Sequence, residues 1–318
     1  MREVSIVIPN YNGKHFLEAC LRAVFAQTIE NQEVIVVDNG STDGSLEYLS
    51  TFPEVRVIAL DSNYGFCHAV NEGIKAAQSE FVILLNNDTE VAADFVEKLL
   101  QAIRRDEKIF SCSSKMIQFH DRSKMDDAGD YYCALGWAYA RGKNGCPEDY
   151  EQPKAVFAAC AGAAVYRKKM LEALGYFDEE HFAYLEDIDL GYRARIHGFK
   201  NIYAPEAVVY HVGSGFSGSA HNAFKVRLSS RNSVYLAYKN MPLLQLLLNL
   251  PLLLLGHLIK WLFFMRKSLG KEYAAGVREG IRLCKKNKKV KFLWNNFPNY
   301  VMIQLELWLN IVRRLKRK

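Results

Sequence analysis

Several signatures of nucleotide-binding and metal-binding proteins are missing from this chain of 318 residues. No GxGxxG motif lies in the first predicted strand–helix turn and no Walker A sequence occurs, which disfavours a Rossmann dehydrogenase and a P-loop protein. No two cysteines are spaced as CxxC, and the seven cysteines are odd in number and scattered, which argues against a zinc site or a disulfide framework. We therefore expect reduced thiols, as in the cytosol.

The positive charges are concentrated at one end of the chain. Residues 260–318 contain sixteen Lys and Arg against three Asp and Glu, a net charge of +13, whereas residues 1–259 carry a net charge of −7. The overall charge of +6 therefore combines two segments of opposite sign. A basic segment of this kind is typical of contact with an anionic surface, either nucleic acid or the head groups of a membrane.

Short apolar runs alternate with amphipathic segments over residues 4–104. The predicted strands cover residues 4–8, 33–37, 55–60 and 81–85, and the predicted helices cover 14–27, 46–52, 66–77 and 92–104. Phe81–Leu85 is entirely apolar, as expected of a strand that is buried on both faces. This alternation predicts an α/β fold with a mostly parallel, doubly wound sheet and helices on both faces.

Polar residues follow two of the predicted strands. Asp38 ends the second strand, and the sequence NNDT, which contains Asp88, follows the fourth. The carboxyl ends of parallel strands are where open α/β sheets bind ligands. Asp88 is the only formal charge in its turn, which suits a hard divalent cation held jointly with a phosphate ligand. The alternative interpretation is a polar turn that caps the next helix.

Four motifs carry a family resemblance. VSIVIPNYNG, VIVVDNGSTDGS, NYGFCHAVNEGI and FVILLNNDTEV stand in this order. With them, residues 3–240 resemble family 2 glycosyltransferases of the GT-A fold, in particular bacterial rhamnosyltransferase-like enzymes. The resemblance implies an inverting, metal-dependent transfer of a sugar from a nucleotide-diphosphate donor. It also implies a division into a GT-A domain, 1–240, and a helical, basic, membrane-associated region, 241–318.

The resemblance assigns residues to the donor site. It implies that Pro9 and Tyr11 line the nucleotide pocket, that Asp38 binds the base, and that Asp88 binds Mg²⁺ or Mn²⁺. The remaining residues expected to contact the donor are Asn12, Asn63, Gly65 and Asn87. The metal motif of the family is often Asp-x-Asp, and Asn86 replaces its first Asp here, as in many rhamnosyltransferase-like relatives.

A second acidic segment lies near residue 187. Residues 178–187 contain carboxylates around two aromatic residues, and a helix is predicted from Glu186 to His197. Interaction of the acids with the helix dipole explains most of these charges. The resemblance implies in addition that Asp187 is the catalytic base, with Glu186 beside it, and that His211 is a further metal ligand. A lone histidine with a structural role is the alternative for His211.

The segments between these sites are less regular. Residues 155–166 are rich in small side chains and predict one strand that passes close to a ligand, with Gly162 allowing the approach. Residues 120–154 lack a clear period and predict a substrate loop. We interpret Asp126, Asp127 and Asp130 as part of a solvated loop. Arg231, on a predicted helix, either contacts the acceptor or a diphosphate or belongs to a solvated face.

The carboxyl-terminal region predicts contact with a membrane. Residues 243–264 are mostly apolar and long enough to span a bilayer, but polar residues and a proline interrupt them, so an in-plane or re-entrant helix pair fits equally well. A basic run at 285–291 and an aromatic amphipathic segment at 294–308 follow. This pattern is typical of a segment on an anionic leaflet. Nucleic-acid binding is disfavoured, because the apolar run exceeds what a groove contact needs.

The function expected from these features is transfer of a sugar to a hydroxyl of a saccharide acceptor. We expect a lipid-linked acceptor at the cytoplasmic face of the cell membrane, in cell-surface polysaccharide synthesis, with dTDP-rhamnose as the expected donor. A processive polysaccharide synthase is one alternative, but several spanning segments and a Gln-x-x-Arg-Trp motif are missing. A non-catalytic nucleotide-sugar-binding module is another, but it should lack either Asp88 or Asp187.

Overall fold

The computed structural model describes residues 2–213 and 222–316. Its strands are β1 Val4–Asn10, β2 Gln32–Asn39, β3 Val55–Leu60, β4 Phe81–Leu85, β5 Thr89–Val91, β6 Ile109–Gln118, β7 Met125–Asp127, β8 Asp130–Cys133, β9 Trp137–Ala140, β10 Lys154–Val156, β11 Ala163–Arg167 and β12 Lys200–His211. Its helices are α1 Lys14–Phe25, α2 Ser45–Leu49, α3 Phe66–Ala76, α4 Phe95–Ile103, α5 Lys168–Leu174, α6 Glu186–Ile196, α7 Ala223–Asn240, α8 Leu243–Arg266, α9 Gly270–Lys286 and α10 Phe297–Leu315.

The central sheet has the strand order β10-β12-β6-β11-β4-β1-β2-β3. The half formed by β3, β2, β1 and β4 is parallel throughout, so the carboxyl ends of these strands meet at one edge of the sheet. β11 runs antiparallel between β4 and β6, and β12 pairs parallel with β6. The short strand β5 pairs with the end of β12, which brings the turn after β4 next to the far half of the sheet.

Helices cover both faces of the sheet. α1, α2 and α4 pack on one face in a core with alternate residues of β1, β2 and β4. α3, α5 and α6 pack on the other face against the remaining residues of the same strands. All five residues of β4 are buried, because both of its faces are covered. The predicted mostly parallel α/β fold is confirmed.

Two segments differ from the sequence prediction. Residues 155–166 do not form one strand: β10 and β11 are separate, and the chain between them passes beside β8 through a bridge from Asp130 to Ala158. Residues 120–154 contain β7, β8 and β9, and Tyr132 is completely buried. The interpretation of Asp126, Asp127 and Asp130 as part of a solvated loop is therefore wrong, because β8 buries Tyr131 and Tyr132 in a third core.

The third core connects β8 and α6 with the carboxyl-terminal helices. It contains residues of β8, α6, α7, α8 and α10, including Tyr132, Tyr192, Leu253 and Leu307. The division at residue 240 stays a prediction, and this core includes residues from both sides of it.

Candidate active site

A cavity of about 1080 Å³ opens at the carboxyl ends of the parallel strands. Residues of β1, β7, β9, α6, α7 and α10, together with the turn that follows β4, contribute to its lining. Of the residues predicted for the site, those that line it are Pro9, Tyr11, Asn12, Asn63, Gly65, Asn87, Asp88, Gly162, Glu186, Asp187 and His211. The fold thus brings most of the predicted donor, metal and base residues to one cavity.

Side-chain amides join the strand ends on the donor side. Asn87 Nδ2 donates to Asn10 Oδ1 at 2.7 Å, and Asn10 Nδ2 donates to Asp38 Oδ1 at 2.8 Å. The second carboxylate oxygen of Asp38 accepts from the backbone N–H of Ser41 at 3.0 Å. Asp38 is completely buried and lies behind the cavity lining, so in this structure it holds the loops after β1, β2 and β4 together. Its contact with the base of a donor stays a prediction.

Asn39 organises a second donor-side loop. Its Nδ2 donates to Asn63 Oδ1 at 3.0 Å and to the carbonyl of Gly65 at 3.1 Å. Gly65 has a φ of +89°, and a Cβ at this position would lie 2.5 Å from the ring of Phe182. A glycine is therefore required here both by the backbone conformation and by the close approach of the segment that precedes α6.

Asp88 and His211 form the predicted metal pair. His211 Nε2 lies 3.3 Å from Asp88 Oδ1, and this oxygen is buried without a hydrogen-bond partner among the described residues. Mg²⁺ binds oxygen ligands at about 2.0–2.1 Å, which separates neighbouring ligands of an octahedron by about 3 Å. A buried carboxylate oxygen lacking a partner, with an imidazole nitrogen at that spacing, fits a divalent cation.

The antiparallel pairing of β5 with β12 produces this arrangement. His211 pairs with Thr89, the residue after Asp88, and the N–H of Val212 donates to the Asp88 carbonyl at 3.0 Å. His211 Nδ1 lies 2.9 Å from Asp126 Oδ2, and Lys143 contacts the other oxygen of Asp126. Burial alone would lower the pKa of His211, but its contacts with Asp126 and Asp88 raise that pKa to about 9. A cation bound at Nε2 would therefore displace a proton from the imidazole. Sequence reasoning missed the role of Asp126 in orienting the imidazole.

The base side of the cavity contains four carboxyl groups. Asp187 lies in the first turn of α6, half-buried, and its Oδ1 accepts the backbone N–H of Ile188 at 2.7 Å. Asp127 and Asp130 line the cavity with Glu186 and Asp187, although they were expected in a solvated loop. Asp127 is only 3% exposed, so that expectation is wrong.

The surroundings of Asp130, Glu186 and Asp187 change the pKa values of these carboxyl groups to different extents. Burial raises the pKa of Asp130 well above its usual range, with the nearby Asp127 and Asp187 adding to the effect. Burial and the adjacent Asp187 raise the pKa of Glu186 to about 8. Burial also raises the pKa of Asp187, but hydrogen bonds from Ile188 and Asp130 limit the increase. Hydrogen bonding thus favours the ionised form of Asp187, whereas Glu186 Oε2 is buried without a hydrogen-bond partner among the described residues.

A strained segment leads into α6, the helix that carries the predicted base, Asp187. Phe182, Tyr184 and Leu185 have φ values of 62°, 68° and 67°, which are uncommon for residues with large side chains. Asn232 Nδ2 donates to the carbonyls of His181, Ala183 and Tyr184 at 2.9, 2.8 and 2.7 Å. Such backbone conformations persist only where their surroundings enforce them, and α7 supplies the contacts here.

Arg231 belongs to the same arrangement. Its Nη2 donates to the carbonyls of Glu180 and His181 at 2.6 and 2.9 Å, and its Nε donates to Asn232 Oδ1 at 2.9 Å. Arg231 therefore lies behind the segment before α6, outside the cavity lining. Its predicted contact with an acceptor or diphosphate stays a prediction, whereas Gly162 lines the cavity beside Asn86.

Comparison with known proteins gives one family. The sequence model described as Glycosyl transferase family 2 matches residues 5–175. The chain is 34% identical over 105 residues to Glycosyltransferase GlyG of Streptococcus pneumoniae, an alignment that spans 32% of this chain and 35% of GlyG. It is 25% identical over 232 residues to the N-acetylglucosaminyl-diphospho-decaprenol L-rhamnosyltransferase of Mycobacterium tuberculosis, over 65% of this chain and 75% of that protein.

A solved structure supports the same fold. The mannosyltransferase PcManGT from Pyrobaculum calidifontis, in complex with GDP-Man and Mn²⁺, superposes with a TM-score of 0.54 at 16% identity. The superposition covers 95% of this chain and 87% of the other. At this level of identity the similarity concerns the fold, and it extends over both the α/β part and the carboxyl-terminal helices.

Proposed function

The chain belongs to glycosyl transferase family 2, and we propose on this premise that it transfers a sugar from a nucleotide-diphosphate donor to a saccharide hydroxyl, with inversion at the anomeric carbon. The observation that carries the proposal is the single cavity that holds both the Asp88–His211 pair and the half-buried carboxylate of Asp187. A module that binds the donor without activity has no need of a second part of the cavity that carries a proton-accepting carboxylate.

The proposed reaction uses Asp187 as the only proton acceptor. The acceptor hydroxyl attacks the anomeric carbon while Asp187 takes its proton, and the bond from that carbon to the diphosphate oxygen breaks. The nucleoside diphosphate leaves with the electron pair and needs charge neutralisation rather than a proton. Asp88 and His211 would hold Mg²⁺ or Mn²⁺, which supplies that neutralisation when bound. A protonated Asp130 would donate a hydrogen bond to Asp187 and keep it oriented.

The relatives indicate the kind of substrate. The mycobacterial relative is named for a diphospho-decaprenol acceptor and a rhamnosyl product, and the archaeal structure contains GDP-mannose and Mn²⁺. We propose that this chain acts in bacterial cell-surface polysaccharide synthesis on a lipid-linked saccharide. We keep dTDP-rhamnose as the proposed donor, because the longest curated alignment described above is with a rhamnosyltransferase.

The carboxyl-terminal helices favour a membrane surface as partner. Among the described residues, α8 is the helix that is both long enough and apolar enough to cross a membrane. Its buried stripe carries the polar residues Gln245 and Asn249, whereas leucines such as Leu244 and Leu254 are 82% and 62% exposed. A soluble helix has the opposite distribution. An apolar exterior over a polar contact stripe suits a helix whose outer side faces lipid.

The packing of α8 favours an in-plane orientation over a spanning one. Asn249 and Gln304 of α10 exchange two amide hydrogen bonds of 2.7 and 2.9 Å. Trp137 Nε1 donates to the carbonyl of Gly256 at 3.1 Å, and His257 Nδ1 lies 2.7 Å from the hydroxyl of Tyr273 in α9. A spanning α8 would carry all these partners into the bilayer. We therefore propose that α8 and α10 lie along the cytoplasmic face of the membrane.

Vesicle flotation tests the membrane proposal. We expect the protein to float with anionic vesicles at low salt and to remain bound at high salt. Replacing Leu244 and Leu254 together by Gln should weaken binding by at least about tenfold, since burying each leucine contributes about 1.5–3 kcal/mol. The matched control replaces Phe25 and Leu46, exposed apolar residues of α1 and α2, by Gln. Equal effects of the two pairs, or wild-type protein in the soluble fraction without detergent, would contradict the proposal.

A panel of nucleotide sugars tests the activity. Each donor is incubated with the full-length protein and Mg²⁺ or Mn²⁺, with and without prenyl-diphosphate-linked saccharides, and release of nucleoside diphosphate is measured. We expect release from one donor class, increased by the correct acceptor, with dTDP-rhamnose as the predicted substrate. Nucleotide-sugar binding without release in any combination would favour the non-catalytic module instead.

A further inference from the structure

Arg314 is a cation on the cavity wall that the mechanism above does not use. Arg314 lies in the last turn of α10, lines the cavity and is exposed. Its guanidinium carbon lies 5.4 Å from the ring centroid of Tyr139, a residue of β9 that also lines the cavity. Among the described residues, the guanidinium contacts this ring and forms no salt bridge with a carboxylate. The charge is therefore held at the cavity by an aromatic ring and is available to an anionic ligand.

The position of Arg314 connects the cavity with the apolar exterior of the carboxyl-terminal helices. Trp308, Val312 and Leu315 on the same helix are 40%, 46% and 77% exposed. The opposite side of α10 is buried through Leu307 and Asn310. Arg314 thus lies where a lipid-facing helix surface ends and the cavity begins. A molecule with an apolar tail along α10 and its head group in the cavity would bring that head group to this arginine.

We propose that Arg314 binds the diphosphate of a prenyl-linked acceptor and so sets where the saccharide enters the cavity. The proposal rests on the proposed function, because it assumes that a lipid-linked saccharide is the acceptor. The planar guanidinium presents paired donors that match phosphate oxygens. The ring of Tyr139 keeps one face of the guanidinium covered and leaves its edge for the ligand.

The donor diphosphate is the competing source of the same chemistry. The donor-side residues come from the ends of β1, β2 and β4 and from the loop before α3. Arg314 and Tyr139 belong instead to α10 and β9, and Tyr139 donates through its hydroxyl to the carbonyl of Asn310 at 2.7 Å. Because these elements pack with the apolar carboxyl-terminal helices, the acceptor lipid is the ligand that the position favours.

Vesicle binding tests the proposal with defined probes. Phosphatidylcholine vesicles contain either a polyprenyl diphosphate or the same amount of the uncharged polyprenol, and the affinity of the full-length protein for each is measured. Binding of UDP and dTDP in solution forms a separate arm. The variants are Arg314→Gln, Arg314→Lys and the control Lys316→Gln, which removes the same charge from the end of the same helix but outside the cavity lining. Circular dichroism verifies that each variant is folded.

The expected result is a preference of the wild-type protein for the diphosphate vesicles. Arg314→Gln should lose about 10- to 100-fold of this preference, the range for hydrogen bonds to charged groups. Arg314→Lys should retain part of it, Lys316→Gln should retain all of it, and nucleotide affinity should not change.

Three results would overturn the proposal. The first is a wild-type protein without preference for the diphosphate. The second is an equal loss in Arg314→Gln and Lys316→Gln, which indicates general attraction to anionic lipid. The third is lower nucleotide affinity in Arg314→Gln, which would place Arg314 in the donor site. Diphosphate binding that depends on Arg314, in a protein that cleaves no nucleotide sugar, would support this site and refute the proposed function.

Discussion

Asn232 is the most informative residue outside the cavity, because it connects α7 to the segment that precedes the proposed base, Asp187. Its side chain is completely buried and donates to three carbonyls within residues 181–184. Asn232→Ala removes all three hydrogen bonds and leaves space that water can enter. We expect the segment before α6 to relax and Asp187 to lose its position relative to the donor.

The size of the effect follows from the strain in this segment. Three residues with large side chains have positive φ values, and each such conformation costs about 1–3 kcal/mol. Each buried carbonyl left without a donor adds about 1–3 kcal/mol; the carbonyl of His181 keeps its hydrogen bond from Arg231. Relaxation is therefore favourable once the amide is gone. Displacing a catalytic group by about 1 Å lowers a rate by about 10²-fold, which is the loss of transfer that we expect.

Single-turnover transfer and donor binding, measured on the same protein, test this prediction. Transfer should fall while donor affinity stays nearly unchanged, because Asp88 and Asn63 lie on other elements. Ser233→Ala is the matched control: it removes one buried hydrogen bond of 2.9 Å from the next position of α7, to the carbonyl of Gly136. Transfer lowered equally by Asn232→Ala and Ser233→Ala, or donor affinity lost in parallel with transfer, would refute the reasoning.

Two further predictions concern the metal pair and the partner of the base. Asp88→Asn should abolish Mg²⁺- or Mn²⁺-dependent binding of the nucleoside diphosphate, His211→Gln should weaken it less, and full activity in excess chelator would show that no metal is used. Asp130→Ala should move the acidic limb of the pH–transfer profile to higher pH, because Asp187 must be ionised and its pKa rises without this donor. Asp130→Asn can still donate and should leave the limb nearly in place; a limb that moves in neither variant would contradict the assignment.

The parallel half of the fold could be predicted from local patterns. The apolar run of β4 and the polar residues after it indicated a buried strand ending at a ligand site; the strand is buried, and the residues after it line the cavity. The pairing of β5 with β12 could not be predicted. The two segments are more than 100 residues apart in the sequence, and β5 has only three residues. That pairing is what brings His211 to Asp88.

The segment 120–154 shows why the base side was only partly predicted. Its strands have three or four residues, too few for a clear alternation of side chains, and the sequence therefore appeared irregular. The available signal was the series Asp126, Asp127 and Asp130 directly before the aromatic pair Tyr131-Tyr132, which indicates acids carried on a buried element. Charge alone suggested solvent instead.

The carboxyl-terminal helices show the opposite case. Gln245 and Asn249 appeared in the sequence as interruptions of an apolar segment. Their spacing of four residues places them on one stripe of α8, and in the structure this stripe contacts the rest of the protein. The polar residues thus identify the inner side of the helix, and the leucines identify the outer side.

The central claim is that Asp187 is the catalytic base in a cavity whose other side binds the donor. Asp187→Asn keeps the size of the side chain and removes its basicity. Donor binding and single-turnover transfer measured on this one variant test the claim directly. We expect normal donor affinity with transfer lowered by about 10²–10⁴-fold, the usual contribution of a positioned base. Near-normal transfer, or loss of donor binding in a folded protein, would contradict it.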